Sequence, residues 1–165
     1  MIEIFLQPGE YYVGGADCRI RTLLGSCVSV TLWHPKRQVG AMSHFLLADR
    51  GGMTSDELDA RYAKEAVALM LGELAREKVS ARQCQAKIFG GGDMFPHHTR
   101  SDAVSVGRRN GEAARELMRA HRIAVVAESL YGAGHRQIIF DIRTGHVWSR
   151  QVKLNAPLAH SKETS

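Results

Sequence analysis

Residues 27–47 read CVSVTLWHPKRQVGAMSHFLL and contain two apolar runs on either side of a short polar stretch. In residues 27–34, branched apolar side chains occupy every second position, and a different set of side chains lies between them. This spacing of two residues is typical of a β-strand whose two faces differ. Residues 35–38 have the composition of a turn, and residues 39–47 would return as the second strand. We therefore predict a β-hairpin at the centre of the fold.

The register of this hairpin decides which side chains meet. If the four residues between them form the turn, His34 faces Val39 and, counting away from the turn, His44 faces Ser29. Cys27 shares a face with Ser29, so His44 would lie diagonal to Cys27 on that face. Diagonal neighbours are about 7–8 Å apart, a gap that an imidazole can largely close. A slip of one residue would turn His44 to the other face.

A cysteine and a histidine in this arrangement could form a catalytic pair. The thiolate is the nucleophilic form of cysteine, and a neighbouring imidazole can take the thiol proton. The Gly25-Ser26 turn before Cys27 would present backbone N–H groups that could bind an oxyanion. The pattern alone leaves a second interpretation open, in which Cys27 is a small buried residue that begins a strand and His44 is structural.

The rest of the chain predicts a single α/β domain over residues 1–154. Thr54-Ser55-Asp56-Glu57 has the T-x-x-E form of a capping box, and the residues after it have apolar side chains at helical spacing. A second helix is predicted at 108–121, a buried strand at 123–130, and a polar, flexible tail at 155–165. The other predicted strands are 10–13, 18–24, 85–89, 136–142 and 146–152. This order predicts a mixed sheet, or a pair of sheets, covered by two helices.

Composition excludes several classes of protein. The 165 residues carry a net charge of +5, but the basic residues are scattered, which argues against a nucleic-acid-binding protein. The three cysteines are widely spaced and form no CxxC motif, which is typical of a reducing compartment. The N-terminus lacks the basic region of a signal peptide, and no apolar run is long enough to span a bilayer. We expect a cytoplasmic protein without membrane insertion.

Two further motifs could suggest a cofactor site or a metal site, but neither has the spacing that such a site requires. Gly90-Gly91-Gly92 follows a predicted strand, but the spacing of the P-loop and of the dinucleotide fingerprint is missing. A turn in which the backbone closely approaches a neighbouring strand or a substrate explains it better. The adjacent His97 and His98 lack the spacing of metal ligands and have no accompanying cysteine or carboxylate set. We expect neither a cofactor nor a metal.

Several segments together resemble one family. LGSCVSVTLWHP, GAMSHFLL, KIFGGGDMF and VGRRN occur here in the order and at the spacing of the bacterial chemotaxis family CheD, the chemoreceptor glutamine deamidases. The late hairpin TGHVWSRQVK is also similar, so the resemblance covers roughly residues 8–153. The pairing of LGSCV with GAMSHFLL is its most specific element.

The resemblance implies a concrete activity. Members of the family hydrolyse the side-chain amides of glutamines on methyl-accepting chemotaxis receptors to glutamate and ammonia, without a metal or cofactor. Their nucleophilic cysteine corresponds to Cys27 and their histidine to His44. The family fold is a layered α/β/β/α structure with two packed sheets between helices. Some members also bind a chemotaxis phosphatase.

The chain departs from the family at the third catalytic residue. The family pattern T-L-G-L-G-S-C has a threonine six residues before the cysteine, where this chain has Arg21, and Thr22 lies five residues before Cys27. Thr22 is our candidate for the residue that orients His44. Because a shift of one residue changes the face of a strand, an alternative function stays open: a receptor- or phosphatase-binding regulatory module whose deamidase activity is weak or lost.

Overall fold

A computed structural model describes residues 1–95 and 105–152, together with the backbone of residues 160–164. Its helices are α1 (Ala63–Arg76) and α2 (Val106–Ala120), with a 3₁₀ turn at Ala81–Gln83. Its strands are β1 (Ile2–Phe5), β2 (Tyr11–Gly14), β3 (Cys18–Leu24), β4 (Val28–His34), β5 (Val39–Ser43), β6 (Gln85–Gly90), β7 (Ala124–Leu130), β8 (His135–Asp141), β9 (Val147–Val152) and β10 (His160–Thr164).

The strands form two mixed sheets of five strands each. The central sheet has the order β2-β5-β4-β6-β7, with β6 and β7 parallel and the other neighbours antiparallel. The outer sheet has the order β1-β3-β8-β9-β10, with β1 and β3 parallel and the other neighbours antiparallel. The single α/β domain with two mixed sheets and two main helices is therefore confirmed.

Both helices pack on the central sheet. Helix α1 contacts β2 and β5, and helix α2 contacts β4, β6 and β7. Each helix connects two strands of the central sheet, so both return the chain to the same layer. The layers therefore run helices, central sheet, outer sheet, which differs from the α/β/β/α order that the family resemblance implied. Phe5 and Trp148, on the far face of the outer sheet, remain exposed.

Two apolar clusters separate these layers. One lies between the helices and the central sheet and includes Val30, Val67 and Met118. The other lies between the sheets and includes Met42 and Phe140, one from each sheet. The central sheet is therefore buried on both faces, which explains why almost every side chain of β4 is buried.

The β4–β5 hairpin has the predicted register. Its turn occupies residues 35–38, His34 pairs with Val39, and Thr31 pairs with Met42. Strand β5 ends at Ser43, but Val28 and Phe45 pair in the same register as an isolated bridge. His44 therefore lies where the sequence predicted it, across from Ser29.

Three local predictions were wrong. The capping box at 54–57 does not begin α1, because its Ser55 hydroxyl closes a local turn to the Glu57 N–H and the N-cap is Tyr62. Helix α2 begins two residues early, since the Ser105 side chain caps it by accepting from the Arg108 N–H. The strand predicted as buried is an edge strand with an exposed Val126, because it pairs with β6 alone.

The C-terminal residues contain a strand. Residues 160–164 pair antiparallel with β9, so this part of the predicted tail extends the outer sheet instead of hanging free. The domain boundary at 154 stays a prediction, and residues 155–159 and 165 lie outside the described residues. Within the described parts of the chain, neither helix is long and apolar enough to cross a membrane.

Candidate active site

Thr22 and His44 meet between the two sheets. In β3 every second side chain is buried, and Thr22 belongs to this buried set while Arg21 is exposed. Thr22 Oγ1 lies 2.7 Å from His44 Nδ1. Strand alternation therefore brings residue 22, and not residue 21, to the imidazole.

The hydrogen bonds of Thr22 assign the tautomer of His44. The Thr22 hydroxyl has one hydrogen, which it donates to the Leu6 carbonyl at 2.9 Å. The Thr22 oxygen must then accept from His44, which places a hydrogen on Nδ1. Because a neutral imidazole carries a single ring N–H, Nε2 is left with a lone pair that can take a proton.

Backbone hydrogen bonds with residues 9 and 10 hold the main chain of His44 in place. The His44 N–H donates to the Glu10 carbonyl at 3.0 Å, and the Gly9 N–H donates to the His44 carbonyl at 2.8 Å. Burial lowers the pKa of His44 to about 4, although the negative charge of Glu10 acts in the opposite direction. The imidazole is therefore neutral at physiological pH, as a proton acceptor must be.

Cys27 lies just before β4 and packs against the apolar cluster between the sheets, on the side that holds His44. With Val28 paired to Phe45, Cys27 and His44 occupy diagonal positions of the hairpin. Burial raises the pKa of the Cys27 thiol, while a hydrogen bond from its own backbone N–H acts against this rise. Burial thus favours the neutral thiol of Cys27 and the neutral imidazole of His44.

The triple glycine packs against the backbone of Cys27, as the close-approach interpretation predicted. The Gly91 N–H donates to the Cys27 carbonyl, and the Gly92 N–H donates to the Gly25 carbonyl, each at 2.9 Å. A Cβ atom at Gly90, whose φ is +113°, would lie 2.2 Å from the Cys27 carbonyl oxygen. A side chain at Gly90 would therefore displace Cys27 and the start of β4.

A small cleft opens beside the turn that precedes Cys27. Its volume is about 120 Å³. It lies between the turn, the end of the triple-glycine segment and the first turn of α2, and its lining residues are Ser26, Gly92, Asp93, Met94, Phe95, Ser105, Val106 and Gly107. Ser26, the residue before Cys27, is the member of the turn that lines this cleft.

Sequence reasoning missed two groups near the site. The Leu6 carbonyl was not identified, because a backbone contact leaves no mark in a pattern of side chains. Asn110 was not singled out, although it is a polar residue four positions before Ala114 and eight before Met118 on the buried face of α2. Such a position is a readable signal, since buried polar side chains in helices usually have a specific partner.

No group of three or more histidine, cysteine or acidic side chains is placed to hold a metal ion in residues 1–95 and 105–152. The pair His97 and His98 lies outside these described residues.

Comparison with known proteins identifies the family. Residues 46–151 match the family model described as CheD chemotactic sensory transduction. The chain is 61% identical over 152 residues to "Probable chemoreceptor glutamine deamidase CheD 2" of Albidiferax ferrireducens, covering 92% of this chain and 88% of that protein. It is 41% identical over 146 residues to "Probable chemoreceptor glutamine deamidase CheD 3" of Dechloromonas aromatica, covering 88% of this chain and 85% of that protein. The chain belongs to the CheD family.

Proposed function

We propose that this protein is a chemoreceptor glutamine deamidase that works through Cys27, His44 and Thr22. It hydrolyses the side-chain amide of glutamine to a carboxylate and ammonia. The relatives described above carry the name of this activity. The observation that supports the mechanism most directly is the Thr22–His44 hydrogen bond, which leaves Nε2 of the imidazole as an acceptor on the side of the hairpin that carries Cys27.

The first half of the reaction forms a thioester. His44 Nε2 takes the thiol proton as the Cys27 sulfur attacks the amide carbon, which produces a tetrahedral oxyanion and an imidazolium. The imidazolium then donates this proton to the amide nitrogen, the C–N bond breaks, and ammonia leaves. Because both groups are neutral before attack, the proton moves together with formation of the C–S bond.

The second half consumes one water. His44 removes a proton from the water as its oxygen attacks the thioester carbon, and the C–S bond breaks with return of the proton to Cys27. The product is glutamate. Thr22 keeps the hydrogen on Nδ1 throughout, so that the same nitrogen of His44 accepts and donates in both halves.

Mass spectrometry of a receptor fragment tests the proposal. The cytoplasmic region of a chemoreceptor is incubated with the protein, and its peptides are searched for glutamines that have become glutamates. Cys27→Ala should stop the conversion completely. Cys84→Ala is the matched control, because Cys84 is a buried free cysteine in the helix-side core and its removal should leave the rate unchanged. Conversion by Cys27→Ala at the rate of the wild type would refute the mechanism.

The substrate also defines where and with whom the protein acts. We place it in the cytoplasm, where the modified region of such receptors lies, and we include a chemotaxis phosphatase as a partner by family resemblance. Co-purification of a tagged chain from cells, with phosphatase mutants as the control, tests the second partner. A Cys27→Ala strain that signals normally, beside a deletion strain that does not, would favour the regulatory binding module instead.

A further inference from the structure

The β4–β5 ladder is interrupted beside Cys27. Val28 and Phe45 exchange both backbone hydrogen bonds, at 3.1 and 3.0 Å. In an antiparallel ladder such pairs recur every second residue, so the next would join Ser26 to Leu47. The Leu47 N–H donates instead to the Arg61 carbonyl. The two strands therefore separate at this point, and the Ser26 carbonyl loses its ladder donor.

The side chain of Asn110 spans this gap. Its Nδ2 lies 3.0 Å from the Ser26 carbonyl oxygen and 2.7 Å from the Leu46 carbonyl oxygen. Ser26 precedes Cys27, and Leu46 is the residue across from Cys27 in the hairpin register. One nitrogen atom on α2 thus holds the two chain segments that carry Cys27 and His44.

The chemistry of this contact selects asparagine. Two hydrogens on one neutral nitrogen can serve both carbonyls, whereas a serine or threonine hydroxyl has one hydrogen and an aspartate has none. Lysine would bring a charge into a site that is 1% exposed. The amide has no alternative orientation, because its oxygen would then face two carbonyl oxygens.

The two hydrogen bonds of Asn110 to these carbonyls both come from its nitrogen. Oδ1 is buried and has no hydrogen-bond partner in the described part of the chain. The contacts of this side chain are therefore directed at the positions of Ser26 and Leu46.

We propose that Asn110 is a positioning residue that sets the distance between Cys27 and His44. It takes the place of the backbone hydrogen bonds that Ser26 and Leu47 do not form. It keeps the two segments at a fixed separation while leaving the site end of the hairpin open. The proposal deepens the proposed deamidase function and rests on it for its kinetic test. A second test does not require that function.

The kinetic test compares three substitutions of Asn110 with a control on the same helix. Asn110→Asp and Asn110→Ala remove both donors, and each should lower kcat about 100-fold with little change in KM. Asn110→Ser, which keeps one hydroxyl donor, should fall between these variants and the wild type. Met118→Ala destabilises α2 at a buried site away from the cleft and should lower Tm without changing kcat. Full kcat in Asn110→Ala, or an equal loss in Met118→Ala, would overturn the proposal.

The second test measures alkylation of Cys27 by iodoacetamide, read by peptide mass spectrometry so that Cys18 and Cys84 are scored separately. His44→Ala should slow the alkylation of Cys27 in the wild-type background. The same substitution should have little effect in the Asn110→Ala background, because the pair is already separated. Independent effects of the two substitutions would overturn the positioning role. A coupled effect without any receptor deamidation would leave the positioning role intact and refute only the proposed function.

Discussion

The two ends of the β4–β5 hairpin hold their strands together by different means. At the turn end, His34 and Val39 pair through the backbone, and the Gln38 N–H closes the turn on the His34 carbonyl. At the site end, side-chain hydrogen bonds lie on either side of the single Val28–Phe45 backbone pair. Ser43 Oγ accepts from the Val30 N–H, and Asn110 bonds the carbonyl that precedes Cys27.

This difference shows which end of the hairpin depends on the identity of its side chains. A complete backbone ladder fixes the strands but leaves no unpaired group for a reaction. Where side chains replace the ladder, their identity sets the geometry, and a single substitution can change it. The turn end should therefore tolerate substitutions that the site end does not.

Two buried histidines, one at each end, make the sharpest comparison. His44→Ala should lower kcat by about 10³-fold, because the proton acceptor is lost. His34→Ala removes an acceptor for the Arg37 N–H and should cost about 1 kcal/mol of stability while leaving kcat unchanged. Deamidation rates and urea unfolding of both variants check this. Similar kinetic losses in the two variants would show that the ends do not differ in function.

Two buried threonines on the inward face provide the next test. Thr22→Val keeps the shape of the side chain but leaves both His44 Nδ1 and the Leu6 carbonyl without a partner, so kcat should fall about 100-fold. Thr22→Ser should retain most of the activity. Thr31→Val alters a buried threonine in the regular part of the ladder and should leave kcat unchanged. If Thr22→Val were as active as Thr31→Val, the hydrogen bond would have no role in the reaction.

The pH dependence of stability tests the burial of His44 directly. Its pKa is about 4 in the folded protein and 6.5 in the unfolded chain. Between these values the unfolded chain binds the proton and the folded protein does not, so stability is fully present above pH 6.5 and is lost as the pH falls toward 4. The loss should reach about 3 kcal/mol.

Urea unfolding of the wild type and of His44→Ala across this range measures that contribution. The variant should lack it and show a shallower dependence on pH. Equal slopes in the wild type and His44→Ala would mean that the imidazole titrates normally in the fold.

The smallest effect is expected at the turn. Gln38 has a φ of +49°, which favours glycine, and its side chain donates to the Arg143 carbonyl at 3.0 Å. Gln38→Gly relieves the backbone strain and removes this bond, so stability should change by less than about 1 kcal/mol. Thermal denaturation checks the stability, and kcat should not change. A large kinetic effect would mean that the turn and the site are coupled.

The sequence predicted the hairpin register and the diagonal placement of Cys27 and His44, because alternation along a strand is a local property. It also made Thr22 the candidate partner of His44, and the structure brings the two side chains into contact. Their catalytic roles stay predictions. The inward orientation of Thr22 needed the structure, since only the packing of the outer sheet shows which side of β3 is inward.

The features that sequence reasoning missed depend on contacts between distant segments. The 123–130 strand has an apolar composition, but its burial depends on whether another strand lies beside it. The start of α1 was misplaced because Ser55 and Glu57 can satisfy each other locally without beginning a helix. Asn110 lies 84 residues from Ser26, a distance along the chain that no local pattern spans.

The glycines of α2 add a constraint that no side-chain contact reveals. A Cβ atom at Gly107 would lie 2.4 Å from the Gly91 carbonyl oxygen, so an alanine there would have to move the helix by about 1 Å to reach ordinary contact. Asn110, one turn further along, would move with it and lose its short bonds to Ser26 and Leu46.

The distance between α2 and the site therefore depends on the lack of a side chain at Gly107. A methyl group at position 107 would act on the reaction by shifting the axis of α2, and with it the side chain of Asn110. Mutations that weaken catalysis in this protein should consequently include small-to-larger changes at residues whose own side chains make no hydrogen bond.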